Sequence, residues 1–130
     1  MNAPPAGQRF GVLPGEYAVC RLAPDEAVPA WAAGPFASVT RTEDELSVVC
    51  PAARVPPGIR AERDWRVLKI AGPFAFSTVG VLVSLAAPLA QAGISVLTIA
   101  TFGTDYLLVK SGTLAEAVAV LTRTGHERIG

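Results

Sequence analysis

The sequence has no excess charge of either sign and no long apolar run, and each absence excludes a class of partner. Its 130 residues carry 11 lysines and arginines against 11 aspartates and glutamates, without a block of like charge. A phosphate backbone or an anionic lipid surface therefore meets no basic patch. The longest apolar stretch, 79–92, is interrupted by Ser84, Pro88 and Gln91 and is shorter than the roughly 20 residues of a membrane span. We expect neither nucleic acid nor a membrane as a partner.

The N-terminal segment lacks the continuous apolar stretch of a secretion signal. Three prolines and two glycines are spread over residues 1–14, and this composition predicts a flexible leader. With neither a signal nor a membrane span, the sequence predicts a cytoplasmic protein.

Cysteine and histidine are scarce: the sequence has two cysteines and one histidine. Cys20 and Cys50 lie in apolar runs without a partner at metal-ligand spacing, which predicts buried, reduced thiols rather than a disulfide or a redox pair. His126 is predicted to lie at the surface near a helix end. Since no activated serine or cysteine stands with it, we predict no catalytic residue, no metal and no cofactor. A small enzyme, the rejected alternative, would depend on His126.

The first half of the chain contains β-like runs and one short helical pattern. Alternation and composition predict a strand, a stub helix, a two-stranded hairpin with a polar tip, and a linker centred on Pro56-Pro57-Gly58. These elements are a strand over 17–22, the stub helix over 25–33, strands over 36–41 and 46–50, and the linker over 51–64.

The second half repeats this order with stronger signals. A helix is predicted over 77–92, with Ser77 or Thr78 as N-cap, Gly93 just past its end, and a kink or break at Pro88. The other predicted elements are strands over 65–70, 94–101 and 106–110, a helix that begins after Thr113 and includes Leu121, and a short strand over 127–129.

The order strand, helix, strand, hairpin, helix, strand is typical of the split β-α-β of ferredoxin-like domains. The segments 44–48 and 105–109 each follow a hairpin tip, which supports an internal repeat. The sequence therefore predicts an α+β fold of two ferredoxin-like βαββαβ repeats, with antiparallel sheets and helices on one face. The predicted boundaries are 15–58 for a truncated first repeat with its linker and 59–130 for a complete second repeat.

Three stretches at matching separations resemble the ACT domains of the aspartate-kinase type. They are Gly72-Pro-Phe-Ala-Phe-Ser-Thr-Val-Gly80, Pro88-Leu-Ala-Gln-Ala-Gly-Ile-Ser95 and Thr101-Phe-Gly-Thr-Asp-Tyr-Leu-Leu-Val-Lys110. The chain is similar, more narrowly, to a family of short tandem-ACT proteins of bacteria, relatives of the ACT domains in the eukaryotic cytosolic arginine sensor. Because Cys20-Arg-Leu22 and Thr42-Glu-Asp-Glu-Leu-Ser47 also resemble the first repeat of that family, the resemblance covers residues 15–126.

This resemblance implies a regulatory module that binds an amino acid or another small effector and controls a separate protein. It places the ligand between the loop that opens the first helix and the following hairpin turn. The implied ligand-binding residues are Ser77, Thr78, Val79, Gly80, Thr101, Phe102, Gly103, Thr104 and Asp105. The general ACT signature has an acidic residue and a Pro-Gly at this helix start, whereas this chain keeps only the glycine.

The chemistry of these residues suits a zwitterion. A helix N-terminus presents unpaired N–H groups to a carboxylate, Asp105 offers a partner for an ammonium group, and Thr101 and Thr104 supply hydroxyls. The alternative is structural: Ser77 and Thr78 as a helix cap, and the threonines and aspartate as turn residues.

Two functional hypotheses follow from the sequence. The first is a non-enzymatic amino-acid sensor that acts as a homodimer or higher oligomer, because small ferredoxin-like units expose a sheet edge or face that a second copy can cover. The second is a protein-interaction module that keeps the fold and has lost the ligand, which the missing carboxylate at the helix start favours.

Overall fold

The computed structural model describes residues 7–72, 74 and 79–130, and these contain eight strands and two α helices. The predicted α+β class is therefore confirmed. The strands are β1 (Arg9–Val12), β2 (Tyr17–Leu22), β3 (Ser38–Arg41), β4 (Leu46–Pro51), β5 (Arg60–Ile70), β6 (Leu97–Ala100), β7 (Asp105–Lys110) and β8 (Glu127–Arg128). The helices are α1 (Val81–Gln91) and α2 (Leu114–Arg123).

The chain folds as two compact units. The loop-covered unit comprises Gly15–Trp65, and the helical unit comprises Arg66–Gly130 together with the N-terminal residues to Pro14. Strand β5 contributes its first part to the loop-covered unit and its last part to the helical unit.

The loop-covered unit has the strand order β3-β4-β2-β5, and every neighbouring pair is antiparallel. Alternation along β2 and β4 points one set of side chains into an apolar cluster. Residues from the loops and from a short 3-10 helix, Ala52–Arg54, complete that cluster. Its buried members are Ala18, Cys20, Leu46, Val48, Cys50 and Val55.

Both cysteines are free and buried, as predicted. Burial raises the pKa of the Cys20 thiol to about 11, with a smaller contribution from Cys50. The pKa of Cys50 is raised as well, also chiefly by burial. The two thiols are therefore protonated near neutral pH and act as small apolar side chains.

The helical unit has the order β6-β7-β5-β1-β8. In a ferredoxin-like repeat the last strand is expected beside the first, but here β1 lies between β5 and β8. Strand β1 is antiparallel to β5 and parallel to β8, which is an exception to the predicted all-antiparallel pairing. Helices α1 and α2 pack on the sheet over one apolar core, whose fully buried members include Phe10, Leu68, Ile70, Leu85, Leu89, Leu107, Val109 and Leu121.

Three sequence predictions require correction. Residues 9–12, predicted as part of a flexible leader, form β1, because Phe10 is fully buried in the helical core. The stub helix over 25–33 does not form. Pro29 has no N–H and disfavours a helical conformation before it, and only isolated turns occur there, such as Ala32 N–H to Pro29 O at 3.0 Å.

The third correction concerns the linker over 51–64. Strand β5 begins at Arg60, well before the predicted start at 65. Charged residues obscured its alternation in the sequence, although Ala61 packs against the apolar cluster of the loop-covered unit. The Pro-Pro-Gly segment marks only the turn that precedes the strand.

Helix α1 is shorter than predicted and continues through Pro88 without a break. It begins at Val81 because the residue before it, Gly80, has a left-handed backbone with φ of 84°. The predicted caps Ser77 and Thr78 lie outside the described residues. The helix ends as predicted, since Gly93 follows it with φ of 78°.

Candidate functional site

The hairpin turn between β6 and β7 is closed by a threonine. Thr101 donates its backbone N–H to the carbonyl of Thr104 at 2.9 Å, and its hydroxyl donates to the same oxygen at 2.8 Å. The Thr104 hydroxyl donates to the carbonyl of Ile70 at the end of β5, at 2.7 Å. Both hydroxyls therefore already donate within the protein, and their lone pairs remain as acceptors.

A second segment, after β5, lies against the same turn. Phe74 donates its N–H to the carbonyl of Gly103 at 2.9 Å. A Cβ at Gly72 would lie 2.8 Å from that carbonyl oxygen, closer than side chains tolerate. Glycine at 72 therefore permits the close approach of the segment to the turn.

The start of α1 faces the hairpin turn. Gly80 accepts the first helical hydrogen bond, from Ser84 N–H at 2.9 Å, and provides no side-chain cap. The first turn of the helix contains no acidic residue. Within the described residues, the N–H groups of 81–83 have no hydrogen-bond partner, as is usual for the first turn of a helix.

These segments enclose a cleft of about 270 Å³ within the helical unit. Asp105 is the one charged residue among its described lining residues, and it is half-buried. Its carboxylate has no ion pair or hydrogen bond within the described part of the chain. The cleft is lined by Phe74, Gly80, Val81, Leu82, Val83, Ala100, Thr101, Phe102, Gly103, Thr104 and Asp105.

Most of the ligand-binding residues implied by the resemblance thus line one cleft. Gly80 comes from the helix start, and residues 101–105 come from the hairpin. Val79, 57% exposed, is not among the lining residues. Five apolar lining residues were not predicted from the sequence, because an apolar residue that lines a cleft does not differ in pattern from a core residue. They are Phe74, Val81, Leu82, Val83 and Ala100.

His126 is buried, with 6% of its surface exposed, and the prediction of a surface residue is wrong. Its Nδ1 accepts the N–H of Gln8 at 2.9 Å, so the proton lies on Nε2, which donates to the carbonyl of Ser84 at 2.8 Å. In a regular helix the N–H of residue 88 would donate to the Ser84 carbonyl, but Pro88 has no N–H. The Nε2–H of His126 supplies the missing hydrogen bond. The imidazole is therefore a structural link between β1, α1 and the end of α2.

Within the described residues, no three histidine, cysteine or acidic side chains cluster as a metal site would require. The described helices are also too short or too polar to cross a bilayer.

The sequence matches two family models. A model of the ACT domain matches residues 60–123, and a model described as an N-terminal domain matches residues 15–58. A comparison with curated proteins gave no match.

Solved structures extend the comparison. A crystal structure of a protein from Agobacterium tumefaciens is 41% identical, covers 98% of this chain and 94% of its own, and has a TM-score of 0.90. A Vibrio cholerae protein of unknown function, described as a possible transport protein, is 19% identical over 92% of this chain and 91% of its own, with a TM-score of 0.75. The regulatory subunit of aspartate kinase from Thermus flavus is 12% identical, covers 92% and 99%, and has a TM-score of 0.64. The chain belongs to the ACT family and has the fold of the aspartate kinase regulatory subunit.

Proposed function

We propose that this protein is a non-enzymatic sensor that binds an amino acid in the cleft between α1 and the β6–β7 hairpin. One observation carries the proposal: the same cleft is lined by the start of α1 and by the Asp105 carboxylate, and neither the N–H groups of 81–83 nor this carboxylate has a partner within the described residues. The N–H groups can bind the carboxylate of a zwitterion, and the Asp105 carboxylate can bind its ammonium group. The proposal includes a cytoplasmic location and a separate regulated protein.

The ligand carboxylate binds at the start of α1. The N–H groups of 81–83 carry the positive end of the helix dipole, and no acidic side chain in the first turn competes for them. Because Gly80 has no side chain, the ligand can approach the backbone closely. This arrangement binds an anion without a basic residue.

The ligand ammonium group binds at Asp105. Asp105 is the first residue of β7. It pairs in the ladder with Ala100, which also lines the cleft. The other described lining side chains are apolar, apart from the hydroxyls of Thr101 and Thr104, which donate to backbone carbonyls of the turn and of Ile70. The cleft therefore favours an amino acid with a small or apolar side chain over a charged one.

The test is thermal unfolding with each of the twenty amino acids at millimolar concentration. A ligand specific to the folded state adds about 2.7 kcal/mol at one hundred times its dissociation constant, which is several degrees for a protein of this size. Asp105→Asn should abolish the shift. The matched control is Asp44→Asn, which removes an exposed carboxylate at the tip of the β3–β4 hairpin and should leave the shift intact.

Ligand binding is also proposed to change assembly. A homodimer whose arrangements differ in their affinity for the ligand shifts toward the tighter-binding arrangement when ligand is present. Sedimentation velocity with the amino acid that stabilises the protein should show a change in mass or shape. Identical profiles with and without that amino acid would remove the coupling from the proposal.

A second candidate function is a protein-interaction module. Three exposed apolar side chains near the helix start and the turn favour it, with exposed fractions of 57% for Val79, 61% for Val83 and 85% for Phe102. This function predicts a stoichiometric partner in amino-acid-free buffer that Phe102→Asp no longer binds. An absence of stabilisation by all twenty amino acids would favour this candidate over the sensor.

A further inference from the structure

A row of four polar side chains crosses one face of the loop-covered unit. The ladders pair Thr40 with Ser47, Ser47 with Arg21, and Arg21 with Arg60. Residues directly opposite in a ladder point to the same face. Cys20 and Val48 point to the other face, into the apolar cluster. The row thus presents two hydroxyls and two guanidinium groups on the outer face.

The two arginines form an unfavourable pair. Like charges directly opposite each other in a sheet destabilise it. Arg21 donates to the Glu45 carboxylate at 3.3 Å and to the Asp44 carbonyl at 3.1 Å. In the described part of the chain, the guanidinium of Arg60 makes neither a hydrogen bond nor an ion pair. Five donors of Arg60 therefore face an open surface beside a second positive charge.

A cleft of about 260 Å³ lies at this position, entirely within the loop-covered unit. It shares no residue with the cleft of the helical unit. Its walls include both arginines of the row and the Ser47 side chain. The lining residues are Val19, Cys20, Arg21, Glu45, Ser47, Arg60, Ala61 and Glu62.

The charges of the lining residues select the class of ligand. Guanidinium groups bind planar oxyanions through paired hydrogen bonds, and an anion between Arg21 and Arg60 would relieve their repulsion. Glu45 and Glu62 balance the two arginines, so a doubly charged phosphate gains less than a singly charged carboxylate. The same two acidic residues attract an ammonium group. We propose that this cleft binds the carboxylate of a small zwitterion at Arg21 and Arg60.

The experiment is a titration of ¹⁵N-labelled protein, followed by NMR at constant ionic strength, with glycine, acetate and inorganic phosphate as probes. Glycine should cause saturable shifts of the Arg21 and Arg60 side-chain N–H signals and of the Ser47 amide, at lower concentration than acetate or phosphate. Arg60→Gln should weaken glycine binding at least ten-fold. Arg41→Gln is the control, because it removes the same charge from an exposed arginine outside the cleft.

Three results would overturn the proposal. The first is shifts that do not saturate or that both variants share, which would indicate non-specific ion binding. The second is tighter binding of phosphate than of glycine. The third is loss of these shifts in Asp105→Asn, which would assign them to the other cleft. Retention of the shifts in Asp105→Asn supports the site whatever the fate of the amino-acid sensor function.

A measurement on ligand-free protein tests the role of Arg60 separately. If the repulsion of Arg21 and Arg60 is real, Arg60→Gln should keep or raise the midpoint of thermal unfolding at low salt. A lowered midpoint would show that Arg60 supports the sheet and would remove one of the two arguments for a bound anion.

Discussion

The two units arrange four strands in the same way but cover them differently. The order is β3-β4-β2-β5 in the loop-covered unit and β6-β7-β5-β1 in the helical unit. Two α helices cover the helical sheet, whereas loops and a three-residue 3-10 helix cover the other. The same strand order therefore forms with and without α helices on the sheet. Helix α1 contributes a different feature, the N–H groups at its start.

The two hairpins show where the units diverge. Each turn is closed by a threonine N–H bonded to the carbonyl three residues later, Thr42 to Glu45 and Thr101 to Thr104, both at 2.9 Å. By position relative to this turn, Asp105 corresponds to Leu46, which is fully buried. The helical unit thus has a carboxylate where the loop-covered unit has a core side chain. This exchange places a carboxylate in the lining of the cleft beside α1.

The largest expected effect tests whether loops cover a core as tightly as helices. Leu85 in α1 and Leu46 in β4 are both fully buried. Leu85→Ala should lower the free energy of unfolding by about 3 kcal/mol, and Leu46→Ala by about 2 kcal/mol, because loops relax into a cavity more readily than packed helices. Urea unfolding measures both values. A larger loss for Leu46→Ala would show that the loop-covered core is the more rigid one.

The second prediction concerns the link that only the helical unit contains. His126→Phe leaves the Gln8 N–H and the Ser84 carbonyl without their partner, and each unsatisfied buried group costs about 1 to 3 kcal/mol. We expect a loss of about 2 kcal/mol in urea unfolding and faster hydrogen exchange at the Gln8 amide.

A double-mutant cycle separates this link from general packing. Pro88→Ala restores the N–H that the Ser84 carbonyl lacks. The cost of His126→Phe should then fall by about 1 kcal/mol, the usual contribution of one hydrogen bond. An unchanged cost would show that packing of the imidazole, rather than its bond to Ser84, stabilises the helix.

The sequence predicted the helical unit better than the loop-covered unit, for physical reasons. Helix periodicity is strong where a helix packs one face on a core, as in α2. Strand β7 is recognised instead by its apolar run of Leu107, Leu108 and Val109, which is fully buried. The stub helix was wrong because Pro29 interrupts it, and Trp31 and Ala32 pack against the apolar cluster from a loop instead. Strand β1 was missed because four residues are too few for a pattern and its partner strands are far along the chain.

The candidate site was predictable in part. The resemblance to ACT domains named residues on both sides of the cleft. The comparison of segments 44–48 and 105–109 as an internal repeat, however, aligned Asp105 with Asp44. The turns correct this alignment by two residues, since Leu46 pairs with Arg41 as Asp105 pairs with Ala100. A shift of two keeps the same face of the strand, so side-chain alternation alone cannot detect it.

The third prediction uses the glycine that brings the segment after β5 against the hairpin turn. Gly72→Ala places a methyl group 2.8 Å from the Gly103 carbonyl oxygen, so the turn must move. We expect a loss of about 1 to 2 kcal/mol in urea unfolding and weaker binding of the stabilising amino acid. Gly11→Ala, where a Cβ meets no atom within 4 Å, is the matched control and should change stability by less than about 0.5 kcal/mol. Equal effects of the two variants would contradict the close approach.

The smallest expected effect tests the exchange of leucine for aspartate directly. Asp105→Leu gives the helical unit the residue that the loop-covered unit has at this position. A half-buried carboxylate without a partner in the described residues is a cost to stability, and its replacement by an apolar side chain should raise the free energy of unfolding by about 1 kcal/mol. The same variant should lose stabilisation by every amino acid, since the ammonium partner is gone. Higher stability with retained binding would place the ligand elsewhere. A residue kept for binding is expected to reduce the stability of the ligand-free fold. Lower stability of Asp105→Leu would therefore mean that Asp105 supports the turn.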